Sequence, residues 1–530
     1  MKRLKYLLLC LLSLACSLSM ADTIGKDDVV VLFDNDVHGH VQGYPKIAAL
    51  KDEMLRITPY VSLVSLGDFA QGGSLNSVSH GQYAIDIMNR AGYDLVTLGN
   101  HEFDYGLEQL DLLTSSLNAR TLVCNYRDLR TNTLPYKPYS IRQFGNLKVG
   151  FIGALAPVTK TSDSPQSFVD ADGNDIFTFG RPDFYSVVQK YVDEVRGLGA
   201  DVVVLLAHLG DNDFFTETSE ETIRQTHGIN VVLDGHAHHV IPARYIADQK
   251  GDSVLLASSG AHFENMGRLV IHPDGKCTTD LIPVADYHRE RLSVSLTIES
   301  FQETFRHLPA IATCEFDLVA FDKEHNTYDR AMQTNLGSLC SDAFRILSKS
   351  DIGWINAGGL RASIPSGKIT FSELLAALPF ENSICVAEFT GRQIVDALEF
   401  GVCHAPEDNG SYPQVSGLLF DLNLNVTANI VTDDAGNLIR VENGPRRVTN
   451  VRVLNSNSGL YEAIDPDKTY SVASIDFILK HRGCNAMLEN GHLIKDDQMI
   501  DTQLIEIFFS EHLNGVIGSK YSTKVVDMSR

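Results

Sequence analysis

The sequence has few basic residues for its length. Its 530 residues include 44 lysines and arginines against 67 aspartates and glutamates, which gives a formal net charge of −23. Binding to a nucleic-acid backbone needs a basic surface, so this balance argues against nucleic acid as the main partner. A small anionic substrate stays compatible with the charge, because bound metal ions reverse the local field.

Long apolar runs are also absent after the first twenty residues. A basic start and apolar residues 7–18, too few for a comfortable membrane span, precede a small-x-small cleavage site that ends at Ala21. We therefore expect residues 1–21 to be a signal peptide and the chain to be exported, to the periplasm or outside the cell. The alternative is lipoprotein processing and a lipid anchor at Cys16, which is less favoured because Ser13 stands where an apolar residue is usually required.

Cysteine pairs with metal-binding spacing are absent too. The nine cysteines include no CxxC pair, and two of them lie within the predicted signal peptide. The remaining seven are an odd number, so at least one thiol stays free even if the others pair. We predict no zinc knuckle, and the sequence assigns no disulfide.

Residues 99–104, Gly-Asn-His-Glu-Phe-Asp, are the most informative stretch of the chain. They follow an apolar run that predicts a buried strand, and Gly99 permits a sharp turn there. Asn100 offers a neutral oxygen ligand, His101 offers a proton, and Asp104 lies close enough to orient the imidazole. Taken alone, the stretch is equally compatible with a polar loop that carries an ordinary surface histidine.

The same arrangement recurs where other predicted strands end. Buried strands are predicted at residues 29–33, 61–66, 94–98, 201–206 and 230–234, and helices between several of them indicate an α/β fold. Ligands collect at the carboxyl ends of strands in such sheets, and carboxylate with imidazole suits a divalent transition metal. The side chains at these ends are Asp36, His38, Asp68, Asn100, His208, His236 and His238. Because such residues recur at the ends of successive predicted strands, the pattern favours a metal site over a set of unrelated polar loops.

Two further segments carry expectations. Residues 159–182 are rich in Ser, Asp, Pro and Gly, and we expect them to form a surface excursion. Residues 356–361, Asn-Ala-Gly-Gly-Leu-Arg, predict a turn whose glycines let the backbone approach a ligand and whose Arg361 grips a phosphate or carboxylate. A tight turn with a solvated arginine is the alternative.

The chain changes character after a predicted helix at residues 296–308. We predict a metal-binding domain at residues 22–295, a linker with a helix at 296–325, and a second domain at 326–530.

Taken in order, the motifs resemble the metallophosphoesterase signature. They are D-x-H at Asp36, G-D at Asp68, G-N-H-E at Asn100, His208, and G-H-x-H at His236. The extended run L-G-N-H-E-F-D-Y-G at residues 98–106 is more narrowly similar to the 5′-nucleotidase / UDP-sugar hydrolase family. Residues 333–337, 356–361 and 378–380 are similar to the C-terminal domain of that family.

This resemblance implies a four-layer α/β/β/α metallophosphoesterase sandwich with a second, smaller α/β C-terminal domain. It also implies two divalent metal ions (Mn, Zn, Fe or Co), one held by Asp36, His38, Asp68 and His238 and the other by Asp68, Asn100, His208 and His236. His101 and Asp104 match the catalytic pair of the family. Arg361 and Phe477 match substrate-binding positions.

Two departures concern the base of a nucleotide. The family often stacks the base between two aromatic rings, and we interpret Val415 as standing where the second ring belongs. The acidic Gly-Gly-Asp-Gly turn of the family is replaced by residues 482–485, which include Cys484 and no aspartate.

These observations lead to three hypotheses. The first is an exported dimetal phosphohydrolase that acts on nucleoside 5′-monophosphates and other nucleotides. The second is a relative specific for UDP-sugars, cyclic nucleotides or non-nucleotide phosphate esters. The third is a metal-bearing binding or surface-interaction protein without turnover.

Overall fold

The structure is a computed structural model of the chain. It describes residues 24–162, 165–170, 172–211, 217–305, 308–320, 330–407, 409–432, 438–456, 458–480, 488, 491–496, 499–523 and 525–526. The predicted signal peptide, including Cys16, and the turn that contains Cys484 lie outside these residues.

The first domain contains two six-stranded sheets. In spatial order, the strands of the first sheet are Cys277–Pro283, Asn265–Ile271, Val29–Asp34, Val61–Ser65, Leu95–Val96 and Arg120–Thr121. Those of the second sheet are Val240–Ala247, Ser253–Ser259, Val231–Leu233, Val202–His208, Leu147–Leu155 and Tyr139–Phe144. Four strands run parallel in each sheet, so their carboxyl ends lie together at one edge.

Alternating side chains place the two sheets face to face. Val29, Val31 and Phe33 belong to one buried cluster with alternate residues of Val202–His208, and this cluster fills the space between the sheets. Val30 and Leu32 point the other way, into a cluster with helices. Strands covered on both faces are apolar throughout, which is why they read as continuous hydrophobic runs.

Helices cover the outer face of each sheet. Those whose apolar residues pack with the first sheet are Tyr44–Met54, Gln82–Ala91, Gly106–Ser116 and Leu292–Phe305. Phe184–Gly197 and Ser219–Gln225 pack with the second sheet. The short helices Gly73–Ser79 and Thr159–Ser162 lie in connections. The predicted four-layer α/β/β/α sandwich is confirmed.

The second domain is built on a five-stranded sheet, which we call the third sheet. Its strands, in spatial order, are Pro413–Ser416, Ile352–Asn356, Thr469–Ile475, Ile384–Thr390 and His492–Lys495. Its helices are Asn335–Ser348, Phe371–Ala377, Gly391–Gly401, Asp476–Leu479 and Asp501–Ile507, the last of which continues into a π-helical turn at Phe508–His512. This smaller mixed α/β domain was also predicted.

Short strands complete the described structure. Two three-stranded sheets consist of Gly367–Thr370, Ala310–Cys314 and Val516–Ile517, and of Leu418–Leu422, Val448–Leu454 and Tyr461–Ala463. Two-stranded pairs are Gln333–Thr334 with Val525–Val526, Ile430–Thr432 with Leu438–Val441, and Arg127–Asp128 with Phe177–Thr178.

The prediction that residues 159–182 form a surface excursion is wrong in part. Phe168, Phe177 and Phe179 are buried in the core of the first domain. The Phe168 ring lies edge-on to the ring of Phe103, at 5.5 Å between centroids. The polar composition of the segment hid three aromatic anchors, whose burial fixes it against the domain.

The sequence predicts no membrane span after the signal peptide. Within the described ranges, no helix is both long enough and apolar enough to cross a membrane.

Candidate active site

The predicted site residues come together at the carboxyl ends of five strands. Asp36 and His38 follow Val29–Asp34, Asp68 follows Val61–Ser65, and Asn100 follows Leu95–Val96 in the first sheet. From the second sheet, His208 ends its strand, and His236 and His238 follow Val231–Leu233. The two face-to-face sheets therefore direct their loops into one site, as expected for parallel strands.

Four of these residues form a compact cluster. One ligand atom from each lies within 4.8 Å of the other three, and the residues are Asp36, His38, Asp68 and His238. His38 Nε2 lies 3.2 Å from His238 Nε2 and 3.5 Å from Asp68 Oδ2. His238 Nε2 lies 3.6 Å from Asp36 Oδ1. The cluster can hold a metal ion.

A second group shares Asp68 with the first. His208 Nε2 lies 3.2 Å from Asp68 Oδ2 and 3.2 Å from Asn100 Oδ1. The His208 and His236 rings are 5.1 Å apart between centroids. Asp68 thus lies between two sets of nitrogen and oxygen donors.

Hydrogen bonds outside the cluster fix which ring nitrogen faces inward. His38 Nδ1 donates to Gln71 Oε1 at 2.9 Å, and His208 Nδ1 donates to the Leu66 carbonyl at 2.7 Å. Both rings therefore turn Nε2 toward Asp68. Such partners orient the histidines of metal sites.

Backbone strain is concentrated in the same residues. Asp36, His38, Asp68, His236 and His238 all have positive φ, at 51°, 44°, 58°, 81° and 60°. A non-glycine residue in this region costs of order 1–3 kcal/mol and persists where the surrounding structure demands it. Strain at five neighbouring positions indicates a functional site.

The pKa values of the cluster show where a cation would compete with protons. Burial lowers the pKa of His38 and His238 well below the ordinary value and that of His236 to about 3, so these imidazoles are neutral and offer lone pairs. Burial raises the pKa of Asp36 to about 8. Burial alone would lower the pKa of His208, but the charges of Asp68 and Asp36, with the hydrogen bonds to Asp68 and to the Leu66 carbonyl, together raise it to about 10. Protons on Asp36 and His208 occupy positions where a metal ion would compete with them.

His101 and Asp104 form the predicted pair beside this cluster. His101 Nδ1 lies 2.8 Å from Asp104 Oδ2, and the Asp104 side chain is 2% exposed. The His101 amide donates to Asp68 Oδ1 at 3.0 Å, and its ring centroid is 5.3 Å from that of His38. The imidazole is therefore held against the cluster by both its backbone and its ring.

The second domain reaches this pair through Arg361. Its Nη2 atom lies 3.4 Å from His101 Nε2. The Phe380 ring centroid is 6.1 Å from that of His101 and 6.0 Å from the Arg361 guanidinium carbon. A cation and an aromatic ring from the second domain thus stand over the site.

The two positions predicted to stack on a base, Phe477 and Val415, have different surroundings in the structure. Phe477 follows strand Thr469–Ile475 and packs, half-buried, against the core of the second domain. Val415 pairs with Trp354 inside the third sheet and lies in that core, so the interpretation of Val415 as a missing stacking ring is wrong. Tyr412, three residues before Val415, lies beside the Arg361 turn; its carbonyl accepts a hydrogen bond from the Ala357 amide at 2.8 Å. Val415 cannot contact a base because its side chain is buried in the core of the second domain.

Several residues at the site were not predicted. Asn35 Nδ2 donates to Asp36 Oδ2 at 2.7 Å, and Gln71 contacts His38. After burial, the charges of His262 and Arg330 further lower the pKa of His238, as does the charge of the predicted Arg361, so these groups lie near it. Asn35 and Gln71 had a sequence signal, because Asn35 is next to Asp36 and Gln71 follows Asp68 by three residues. His262 and Arg330 lie outside the predicted motifs and carry no such signal.

Comparisons with known proteins agree with this architecture. Residues 29–240 match the family described as calcineurin-like phosphoesterase, and residues 311–490 match the family described as 5′-nucleotidase, C-terminal domain. The trifunctional nucleotide phosphoesterase protein of Bacillus subtilis is 25% identical over 540 residues, which cover 94% of this chain and 35% of that protein. The 5′-nucleotidase of Bos taurus is 23% identical over 552 residues, 91% of this chain and 88% of that protein.

A solved structure shares the fold. The 5′-nucleotidase precursor from Thermus thermophilus superimposes with a TM-score of 0.76 at 24% identity, over 93% of this chain and 97% of that one.

Fold, cluster and family matches together define a metal-dependent phosphoester hydrolase. The chain belongs to the calcineurin-like phosphoesterases that carry a 5′-nucleotidase C-terminal domain.

Proposed function

We propose that this chain removes phosphate from nucleoside 5′-monophosphates and other nucleotides at a centre of two divalent metal ions. The observation that carries the proposal is the Asp68 carboxylate, which lies between two donor sets and next to His101. The relatives of this chain in Bos taurus and Bacillus subtilis are named as a 5′-nucleotidase and a nucleotide phosphoesterase, and these names support nucleotides as the substrate class.

The donor sets fit two metal ions. Asp36, His38, Asp68 and His238 would hold one ion, and Asp68, Asn100, His208 and His236 would hold the other. Mixed nitrogen and oxygen donors suit Mn, Zn, Fe or Co. When bound, a pair of such ions lowers the pKa of water and neutralises the charge that builds up on a phosphoryl group.

His101 is the proposed proton donor. With Nδ1 bonded to Asp104, the ring offers Nε2 toward the substrate side of the site. Protonated His101 would give its Nε2 proton to the leaving oxygen, and Asp104 would hold the ring in that orientation. Arg361 would bind the phosphate oxygens, because a guanidinium makes strong charge-assisted hydrogen bonds to phosphate.

The base would bind in the second domain. The strands before Phe477 and before the Arg361 turn run parallel, so both positions lie at one edge of the third sheet. We propose Phe477 as a contact for the base. The alternative substrates, UDP-sugars, cyclic nucleotides or non-nucleotide phosphate esters, lose one argument because Val415 lies in the core; Cys484, the other argument, lies outside the described residues.

We further propose export of the chain, with residues 1–21 as the signal peptide and a lipid anchor at Cys16 as the alternative. The proposed domains are residues 22–295 and 326–530, with residues 296–325 as the linker.

Hydrolysis by the mature chain, residues 22–530, tests the proposed reaction. Phosphate release follows the monoesters, and separation of the nucleotide products follows UDP-glucose and the cyclic nucleotide, whose first cleavage yields a phosphate monoester and no free phosphate. The protein is stripped with a chelator, and Mn²⁺, Zn²⁺, Co²⁺ or Mg²⁺ is restored. The substrates are AMP, UMP, UDP-glucose, a 2′,3′-cyclic nucleotide and p-nitrophenyl phosphate. We expect metal-dependent release that favours AMP and UMP, and a loss of about 10²- to 10⁴-fold in His101→Ala.

Other outcomes would change the proposal. Equal turnover of AMP and p-nitrophenyl phosphate would remove nucleotides as the preferred class. Full activity after metal removal, or in His101→Ala, would contradict the mechanism.

A further inference from the structure

Glu102 is a buried acid for which the proposed reaction has no role. It is 1% exposed and lies in the short helical turn Asn100–Phe103. Its carboxylate accepts hydrogen bonds from four backbone amides. They are Asp68 N at 2.8 Å and Gly99 N at 2.6 Å on Oε2, and Phe69 N at 2.8 Å and Ala70 N at 3.0 Å on Oε1.

These four amides belong to two different loops. Three follow strand Val61–Ser65, and the fourth follows strand Leu95–Val96. The first loop carries Asp68 and the second carries Asn100. One side chain therefore ties together the two loops that supply the shared carboxylate and the amide ligand.

The hydrogen bond from the Asp68 amide to Glu102 lies at a strained backbone position. Asp68 has a φ of 58°, so its backbone needs external contacts to stay in the left-handed region. Glu102 fixes the Asp68 amide, while the His101 amide fixes Asp68 Oδ1 at 3.0 Å. Two adjacent residues of the turn Asn100–Phe103 thus hold the backbone and the side chain of Asp68.

A carboxylate suits this position better than any neutral group. Two oxygens can accept all four bonds, and charge-assisted bonds are roughly twice as strong as neutral ones. A glutamine has the same shape, but its NH₂ group would face amide donors in place of an acceptor. At least two of the four bonds would be lost.

We propose that Glu102 is a positioning residue for the metal centre, which holds Asp68 and Asn100 at the separation that metal binding requires. This inference rests on the proposed function. It concerns a residue that touches neither substrate nor ion, and it assigns the effect to the geometry of the ligand loops.

The test compares Glu102→Gln with the same substitution at Glu399, a buried acid that also accepts hydrogen bonds from backbone amides. Glu399 is fully buried in the second domain, and it accepts the amides of Arg447 and Val448 at 3.0 and 2.9 Å. Glu399→Gln therefore disturbs folding in a similar way without touching the ligand loops. Glu102→Asp, which keeps the charge but is one methylene shorter, is the second variant.

Each protein is stripped of metal and titrated with Co²⁺ alone, followed by visible absorption and calorimetry. Removing a group that orients metal ligands typically costs about 10- to 100-fold in affinity. We expect that loss, with a changed cobalt spectrum, in Glu102→Gln, a smaller loss in Glu102→Asp, and wild-type binding in Glu399→Gln. Circular dichroism should be the same for all four proteins.

Three outcomes would overturn the inference while wild-type protein binds cobalt. They are wild-type affinity in Glu102→Gln, equal losses in Glu102→Gln and Glu399→Gln, and failure of both Glu102 variants to fold when Glu399→Gln folds. The last would make Glu102 a folding residue. Absence of cobalt binding by the wild-type protein is a different result, since it would overturn the proposed metal centre itself.

Discussion

The Nη2 atom of Arg361 lies 3.4 Å from the Nε2 atom of His101, and this contact joins the two domains. His101 comes from a loop of the first sheet, and Arg361 comes from the turn after strand Ile352–Asn356 of the third sheet. Nδ1 of His101 is bonded to Asp104, so Nε2 is the ring nitrogen that faces Arg361. A phosphate bound there would meet the proton donor of one domain and the cation of the other.

Replacing this cation should weaken substrate binding. We expect Arg361→Ala to raise KM for AMP by about 10- to 100-fold, since hydrogen bonds to charged groups contribute about 1.5–3 kcal/mol. Steady-state kinetics at saturating metal measures the change. Arg392→Ala is the control, because Arg392 is 67% exposed and pairs with Asp467 on the surface. An unchanged KM in Arg361→Ala would rule out its role in phosphate binding.

Asp104 should affect turnover and leave metal binding intact. It contacts His101 at Nδ1, on the side of the ring away from the substrate. We expect Asp104→Asn to lower kcat by about 10- to 100-fold, part of the 10²- to 10⁴-fold that general acid–base catalysis supplies. Metal content, measured by mass spectrometry, should equal that of the wild type. Asp111→Asn, on the exposed side of helix Gly106–Ser116, should keep full activity; loss of metal in Asp104→Asn would contradict the assigned role.

The clustering of the site could be predicted because its signals are local. The apolar strand Val29–Asp34 is followed by the candidate metal ligands Asp36 and His38, and the apolar strand Val202–His208 ends in the candidate ligand His208. Parallel sheets bring such strand ends together. The strand before Gly99 was harder to predict. The strand itself is only Leu95–Val96, although the Thr97 amide still donates to the Ser65 carbonyl at 3.0 Å.

Long-range properties of the site have no comparable signal. The left-handed backbone of Asp68 depends on Glu102 and on contacts between loops, and residue identity alone does not indicate it. The approach of Gln71 to His38 depends on how two loops fold over each other. Val415 shows the same limit, since its position after Tyr412 does not reveal which side of the strand faces the core.

Phe168 should contribute strongly to the stability of the first domain, despite its polar surroundings in sequence. Its ring is fully buried and lies 5.0 Å from Phe179 between centroids. We expect Phe168→Ala to lower the free energy of unfolding of this domain by about 3–5 kcal/mol. Denaturation followed by far-ultraviolet circular dichroism measures it, with Leu129→Ala, at 44% exposure, as the control. A change below about 1 kcal/mol would contradict the burial of this segment.

The two domains can be followed separately in such experiments. The sequence has one tryptophan, Trp354, and it is fully buried in the core of the second domain. Its fluorescence reports unfolding of that domain alone. Phe168→Ala should therefore shift the unfolding transition seen by circular dichroism more than the transition seen by Trp354 fluorescence, each compared with the same transition of the wild type.

Asp501 should make the second domain less stable as the pH rises. Burial raises its pKa from 3.8 to about 7, although hydrogen bonds from the Thr502 amide and Asn382 oppose the rise. The folded state therefore keeps a proton that the unfolded state releases, so this contribution to stability is complete below about pH 4 and is lost as the pH passes 7. Asp501→Asn retains the shape of the protonated acid and does not titrate.

We expect the free energy of unfolding of the wild type to fall relative to that of Asp501→Asn between pH 5 and pH 8, by a few kcal/mol at most, since one pKa unit corresponds to about 1.4 kcal/mol. Urea denaturation of the metal-free proteins, followed by Trp354 fluorescence, measures the difference without interference from metal binding. Asp467→Asn, whose side chain is 86% exposed in the wild type, should follow the wild-type pH dependence. If the curves of wild type and Asp501→Asn run parallel from pH 5 to pH 8, Asp501 does not hold a proton in the folded domain at neutral pH.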